Sequence, residues 1–126
     1  MPKASKESAS ETVEVEGYEG HLEELGGYMV AFEKYSADAD LAPYFAGLPD
    51  DRCQSPHMGY VFKGKVKYTY TDGREEVFEA GEAYHVPPGH TPTIYEGTEL
   101  VEFSPTEPFQ QTMEVVTRNI EAAPTA

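Results

Sequence analysis

The stretch that decides the fold runs from residue 51 to residue 92. Its first part, residues 51–64, reads DRCQSPHMGYVFKG, and its last part, residues 81–92, reads GEAYHVPPGHTP. Between them, the predicted strands 65–70 and 75–80 flank the dipeptide Asp72-Gly73, which is a strong signal for a β-hairpin with a type I′ turn. The stretch holds the only cysteine and three of the four histidines of the chain. The residues that direct the fold are therefore predicted to lie close to those that carry the chemistry.

Outward from this stretch, short apolar or alternating segments recur at regular spacing and predict eight to ten β-strands. The clearest cover residues 12–16, 28–35, 58–62, 65–70, 75–80, 83–86, 93–96 and 99–104. Residues 21–25 suggest a further strand, and residues 40–45 a helical turn with Asp40 as its N-cap. No alternation of strands and helices appears within this region, so the pattern predicts an all-β sandwich or barrel, jelly rolls included.

The period of the apolar residues changes after Thr106. Phe109, Met113, Val116 and Ile120 fall on one face of a helix, and Thr106 is a suitable N-cap. We predict one domain with a disordered tail over residues 1–11, a barrel over 12–105, a helix over 106–122 that packs on the barrel, and a tail over 123–126.

Composition excludes several classes of partner. The formal net charge is −14 in 126 residues, which opposes binding to nucleic acid or to an anionic membrane. A single cysteine allows no intramolecular disulfide, so a reducing, cytoplasmic location is expected.

Two motifs within residues 51–92 resemble those of the cupin family. Residues 81–89 match its second motif through Gly81, Pro87 and Gly89, and Gly64 matches the glycine of its first motif. The resemblance covers residues 31–104 and implies a cupin-type double-stranded β-helix, which is a jelly-roll barrel, followed here by a C-terminal α-helix.

The metal-binding positions of these motifs are filled in an unusual way. His57 occupies the position of the first motif's carboxylate, while Asp51 and Cys53 stand where the family has paired histidines. Pro92 stands at the histidine position of the second motif, and His90 lies two residues before it. The resemblance therefore does not carry an iron or manganese dioxygenase activity to this chain.

Cys53, His57 and His90 are nevertheless candidate metal ligands. Cys53 and His57 have the same parity in an extended segment and so point to one face, which the resemblance makes the inner face of the barrel. One thiolate and two imidazoles suit a divalent transition metal such as zinc or copper, with iron as a third candidate. Three protein ligands leave a position for water or substrate.

Each of these residues also has a purely structural interpretation. Cys53 can be a small buried apolar residue, and His57 a core histidine that bonds Asp51 or a backbone carbonyl. His90 can cap a turn. His85 fits a structural role as well as it fits the lining of a pocket.

Glu102 and several tyrosines are candidates for proton transfer and ligand binding. Glu102 interrupts an apolar strand, so it either faces solvent or points inward as a general base. Tyr60 is the candidate general acid or hydrogen-bond donor, and Tyr68 and Tyr95 are expected to line the pocket. The alternative for all three tyrosines is a core position with a bonded hydroxyl.

Two functions remain open. The first is a metal-dependent enzyme of oxygenase, isomerase or lyase type that acts on a small organic molecule in the barrel. The second is a metal-free cupin that binds or senses a small molecule without catalysis. We also expect a homodimer, formed through the helix stripe or an N-terminal edge strand.

Overall fold

The computed structural model describes residues 3–122, so the predicted tail at 123–126 lies outside the described part of the chain. Short 3-10 turns cover Ala42–Phe45 and Pro49–Asp51, and the single α-helix of the described residues, α1, covers Thr106–Ala122. The strands are β1 (Glu11–Val15), β2 (Tyr18–Leu25), β3 (Tyr28–Tyr35), β4 (Ala39–Asp40), β5 (His57–Lys63), β6 (Lys65–Tyr70), β7 (Glu75–Glu79), β8 (Ala83–Val86), β9 (His90–Ile94) and β10 (Glu99–Pro105).

The strands form two antiparallel sheets that enclose one core. The larger sheet has the order β1-β2-β3-β10-β5-β8, and the smaller sheet has the order β4-β9-β6-β7. Their inner faces pack together because residues of one parity on each strand are apolar. The core consists of Tyr35, Val61, Val66, Tyr68, Tyr70, Tyr84, Val86, Ile94 and Leu100. This two-sheet β structure with one C-terminal helix confirms the predicted fold class.

Strand β9 begins at His90, three residues earlier than the sequence predicts. Pro92 argues against a strand there, because proline cannot donate to a β-ladder. The Pro92 carbonyl accepts a bond from the N–H of Leu41, beyond the end of the two-residue strand β4. An N–H at position 92 would point to the same side as this carbonyl, toward Leu41 and away from β6. The proline therefore breaks no hydrogen bond between β9 and β6. The earlier start makes His90 part of the barrel wall.

The hairpin between β6 and β7 lies where Asp72-Gly73 predicts it, but the turn type is different. A type I′ turn needs positive φ at both Asp72 and Gly73. Gly73 has φ +87°, but Asp72 does not have positive φ, because the non-glycine residues of the described chain that do are Asp50 and Asp51. The Gly73 N–H bonds the carbonyl of Tyr70, as in a three-residue loop that ends in a left-handed glycine. Asp72 instead stabilises the loop through its carboxylate, which accepts a bond from the N–H of Arg74 at 2.9 Å.

Helix α1 packs chiefly on the 3-10 turn Ala42–Phe45 rather than laying its whole stripe on a sheet. Phe45, Cys53 and Val116 are buried together in a second apolar cluster, while Ile120 of the predicted stripe is exposed. The side-chain amide of Asn119 donates to the carbonyls of Tyr44 at 2.8 Å and Ala46 at 2.9 Å. The helix and the turn together therefore cover Cys53. No helix among residues 3–122 has both the length and the apolar character needed to cross a membrane.

Candidate metal centre

Cys53, His57 and His90 converge at one point inside the fold. One donor atom from each residue lies within 4.8 Å of the other two, and Cys53 Sγ is 3.5 Å from His57 Nε2. His57 opens strand β5 and His90 opens strand β9. Cys53 joins them because its N–H donates to the carbonyl of His90 at 2.8 Å and its own carbonyl accepts from Gly89 at 2.8 Å. The structure thus brings together the three predicted ligands.

Both imidazole rings are held so that Nε2 faces the cluster. His90 Nδ1 lies 2.7 Å from the carbonyl oxygen of Pro87, and since a carbonyl only accepts, Nδ1 carries the proton and Nε2 a free electron pair. His57 Nδ1 lies 2.6 Å from Ser104 Oγ. Partners of this kind orient histidines that bind metals. His90 Nε2 is buried and lacks any hydrogen-bond partner among the described residues.

Burial sets the protonation of Cys53 and His90. The residues are 3% (Cys53), 8% (His57) and 1% (His90) exposed, so charge on any of them is poorly solvated. Burial raises the pKa of the Cys53 thiol to about 12, and burial together with the neighbouring His57 lowers the pKa of His90 to about 4. At neutral pH the Cys53 thiol and the His90 imidazole are therefore uncharged. A bound cation would reverse the thiol's preference, because metal coordination stabilises the thiolate.

The donor set and its burial fit a transition metal. An unpaired buried acceptor such as His90 Nε2 costs free energy, and a metal ion would use its electron pair. Sulfur and imidazole nitrogen are ligands for zinc, copper and iron rather than for magnesium or calcium.

Glu102 points into the barrel beside this cluster, as one of its two sequence interpretations predicts. Its Oε1 accepts hydrogen bonds from Tyr84 Oη at 2.7 Å and from Tyr68 Oη. The ring of Tyr68 meets the ring of His90 edge-on, with centroids 5.1 Å apart. Burial and the Glu102 carboxylate raise the pKa of Tyr68 well above its usual value, so its hydroxyl stays a donor. Tyr68 therefore lies between the two residues, with its ring packed on His90 and its hydroxyl bonded to Glu102.

Gly59 is the residue that lets Tyr84 reach Glu102. Gly59 pairs directly with Tyr84 across strands β5 and β8. A Cβ at this position would lie 2.5 Å from Tyr84 Cζ and 2.7 Å from the carbonyl oxygen of Val101. The space beside this glycine is therefore occupied by the tyrosine ring.

Three predicted site residues lie away from the cluster. Tyr60 and His85 are exposed on the outer face of the larger sheet, because strand alternation places them opposite Gly59 and Tyr84. Tyr95 follows the end of β9, and its ring packs under Lys65 Nζ at 4.7 Å from the centroid. The catalytic role predicted for Tyr60 and the pocket role predicted for His85 and Tyr95 do not agree with these positions.

One site residue, Ser104, escaped the sequence analysis, and a second, Tyr84, was predicted only to lie on a barrel strand. Ser104 bonds His57 across a separation of 47 residues, and no local pattern signals that contact. Tyr84 was available from the sequence, because it shares the parity of buried Val86 on strand β8. Its hydrogen bond to Glu102 could not be predicted, because the sequence alone does not specify which strands pair and in which register.

Similarity to known proteins is found at the level of structure only. No family model matches the sequence, and no significant match appears among curated proteins. Several solved structures are similar. One is the polyketide cyclase RemF from Streptomyces resistomycificus, 14% identical over 85% of this chain and 80% of that chain, with a TM-score of 0.58.

Two further structures agree with it. An RmlC-like cupin from Shewanella frigidimarina is 18% identical over 82% of this chain and 90% of that one, with a TM-score of 0.55. KdgF from Halomonas sp. is 18% identical over 77% and 87%, with a TM-score of 0.51. At this identity the likeness concerns the fold, and function has to be argued from the site. The resemblance found in the two sequence motifs is thereby confirmed: the chain has the fold of the cupin superfamily.

Proposed function

We propose that the protein binds one divalent transition metal through Cys53 Sγ, His57 Nε2 and His90 Nε2. The observation that carries this proposal is the buried, unpartnered Nε2 of His90, which lies among two further donor atoms. The helix α1 and the turn Ala42–Phe45 cover the cluster, which favours slow exchange of the ion with solvent. Zinc and copper fit the thiolate and two imidazoles better than iron does.

We propose further that the metal centre serves an enzyme that acts on a small organic molecule. A bound transition metal supplies Lewis-acid polarisation of a substrate oxygen. The chain supplies proton handling, since the Glu102 carboxylate accepts a proton and the hydroxyls of Tyr68 and Tyr84 hold that carboxylate in place. An isomerase or lyase uses these groups most directly, while an oxygenase remains the third reaction class.

The alternative function is a metal-free cupin that binds a small molecule without catalysis. It is favoured by the aromatic packing inside the barrel, where the rings of Phe78 and Tyr84 stack with centroids 4.9 Å apart. Such a wall suits an apolar ligand whose hydroxyl or amine pairs with Glu102.

A cytoplasmic location remains the prediction made from the lone cysteine.

The test is elemental analysis of untagged protein, before and after reconstitution with zinc. We expect about one equivalent of metal in the wild type and its loss in Cys53→Ser, His57→Ala and His90→Ala. His85→Ala is the matched control, because His85 is exposed on the opposite face of the sheet. Cobalt reconstitution adds a thiolate charge-transfer band that Cys53→Ser should abolish.

Two outcomes would overturn the proposal. One is a wild type that takes up no metal under any of these conditions. The other is metal content in all three variants equal to that of His85→Ala. Native mass spectrometry for a retained organic ligand would then test the metal-free alternative.

A further inference from the structure

The two histidines of the candidate metal centre are held by partners of different chemistry. His90 Nδ1 faces the carbonyl oxygen of Pro87, which can only accept, so the proton of His90 is fixed on Nδ1. His57 Nδ1 faces the hydroxyl of Ser104 at 2.6 Å, and a hydroxyl can donate as well as accept. The position of the His57 proton is therefore decided by the other hydrogen bonds around it.

Ser104 reaches His57 as its neighbour across two strands. Phe103 of β10 pairs with Met58 of β5, and the same antiparallel register sets Ser104 opposite His57. Both side chains are buried, since Ser104 is 1% and His57 is 8% exposed. The Ser104 hydroxyl is thus shielded from solvent, and its proton needs an acceptor within the protein.

One chain of hydrogen bonds uses every donor of this group of side chains. Ser104 Oγ has a single hydrogen-bond partner among residues 3–122, which is His57 Nδ1. If the hydroxyl donates to that nitrogen, His57 carries its proton on Nε2 and directs it at Cys53 Sγ, 3.5 Å away. The thiol in turn donates to the carbonyl oxygen of Ser55 at 3.7 Å. Each bond of such a chain polarises the next and strengthens it.

The reverse direction leaves a buried donor unused. If His57 carried its proton on Nδ1, Ser104 would accept it, and the serine's own proton would have no acceptor in the described part of the chain. The Cys53 thiol would then donate to His57 Nε2 instead of Ser55, so the chain would contain two bonds rather than three. A buried donor without a partner is unfavourable. Without a bound ion, the proton of His57 is therefore favoured on Nε2.

A metal ion reverses this preference. An imidazole binds a metal through an unprotonated nitrogen, and Nε2 is the nitrogen of His57 that faces Cys53. The proton of His57 must then lie on Nδ1, where the oxygen of Ser104 can accept it. The thiol loses its proton on coordination, so it no longer needs Ser55 as an acceptor.

We propose that Ser104 is the positioning residue of this centre, whose hydroxyl donates to His57 Nδ1 without a metal ion and accepts from it when the ion is bound. His57 is thus the histidine whose proton moves on metal binding, whereas His90 is already in its binding form. A partner of fixed polarity, such as the carbonyl beside His90, could not serve both states. This role rests on the metal binding proposed above.

Nitrogen-15 NMR of the imidazole rings locates the protons directly. In chelator-treated wild type at pH 8.5, we expect the proton of His57 on Nε2 and the proton of His90 on Nδ1. After addition of zinc, the proton of His57 should be found on Nδ1. In Ser104→Ala without zinc, His57 should be a mixture of both tautomers, a change that a merely structural role of the serine would not produce. A chelator-treated wild type in which His57 carries its proton on Nδ1 overturns the proposal.

Zinc affinity, measured by competition with a chelator, tests whether the hydroxyl is needed. Ser104→Ala removes both the donor and the acceptor and should weaken zinc binding by about 10- to 100-fold. Ser104→Thr keeps a hydroxyl and should restore most of the affinity. Thr98→Val is the matched control, because Thr98 is also fully buried and its hydroxyl bonds the carbonyl of Lys65, beyond the other end of β10.

Circular dichroism confirms that each variant is folded. If Ser104→Ala binds zinc as tightly as Thr98→Val does, the role of Ser104 is wrong and metal binding itself stands. A wild type that takes up no zinc overturns both the role of Ser104 and the proposed metal centre.

Discussion

Individual residues of the barrel interior are constrained by contacts that reach across strands. Gly59, Tyr84 and Glu102 form one such set, since the glycine makes the space through which the tyrosine bonds the carboxylate. Cys53, His57 and His90 form another. The sequence predicted the second set because its members stand within recognisable motifs. It misplaced Tyr60, whose parity on strand β5 is opposite to that of His57 and therefore puts it on the outer face.

Gly59→Ala should destabilise the protein by about 1–3 kcal/mol, because the added methyl overlaps the Tyr84 ring and the Val101 carbonyl. Urea denaturation measures the loss. In a Tyr84→Val background the same substitution should cost less, since one of the two clashes is gone. Equal costs in the two backgrounds would show that the ring does not occupy this space.

Glu33 is predicted to make stability depend on pH. Its carboxylate accepts a bond from Tyr18 Oη at 2.6 Å, and burial, together with nearby Glu102, raises its pKa from 4.5 to about 8. The folded state thus holds this proton more tightly than the unfolded chain. The stabilisation of the folded state by the protonated Glu33 is complete below pH 4.5 and is lost as the pH rises to about 8.

Glu33→Gln should therefore be more stable than the wild type at pH 8 and similar to it at pH 5. Thermal unfolding at both pH values measures the difference. Glu24→Gln, at an exposed position on β2, is the control and should show no such dependence. A Glu33→Gln protein whose difference from the wild type is the same at both pH values would contradict the prediction.

Among the elements, α1 and the turn Ala42–Phe45 lie outside both sheets. The helix was predictable in position and length from its period and its first residue. Its packing was not, because its buried residue Val116 clusters with Phe45 of the 3-10 turn and with Cys53 rather than with the core between the two sheets. The β6–β7 hairpin shows the same limit of prediction. The dipeptide Asp72-Gly73 predicted where the turn lies, but not its three-residue geometry, which the carboxylate of Asp72 stabilises.

Asn119→Ala should loosen the contact between α1 and the turn. It removes two hydrogen bonds to the Tyr44 and Ala46 carbonyls, at a cost of about 1–2 kcal/mol. We expect a lower denaturation midpoint and, in metal-loaded protein, faster release of the ion to a chelator. Gln111→Ala, which loses only an exposed bond on the same helix, should change neither quantity. Unchanged release in Asn119→Ala would mean that the helix does not retain the ion.

The molecule as a whole carries far more negative than positive charge, with 23 acidic and 9 basic side chains. Repulsion among them opposes the compact state, and salt weakens it because the Debye length falls to about 3 Å at 1 M. The midpoint of thermal unfolding should therefore rise with sodium chloride concentration. A choline chloride series controls for specific cation binding and should give the same rise. A midpoint that falls with both salts would contradict the prediction.

At this scale the sequence was most informative. Alternating strands, turn residues and two motifs were enough for the cupin fold, since that fold follows from which residues are apolar and where the chain turns. The exposed apolar side chains on the larger sheet's outer face, such as Met58 and Phe62, were not visible in advance, because an apolar residue on a strand is taken as core whichever face it occupies.

The bridge between Cys53 and His90 bears on the order in which the molecule assembles. Cys53 and His57 are four residues apart in sequence, whereas His90 reaches them only when the smaller sheet closes against the larger one. Contacts between such distant residues form late, after the entropy of closing the intervening loop has been overcome. A nascent chain would thus display two donors and acquire the third at the end of folding. An ion that needs all three would enter a finished barrel and leave when the barrel opens.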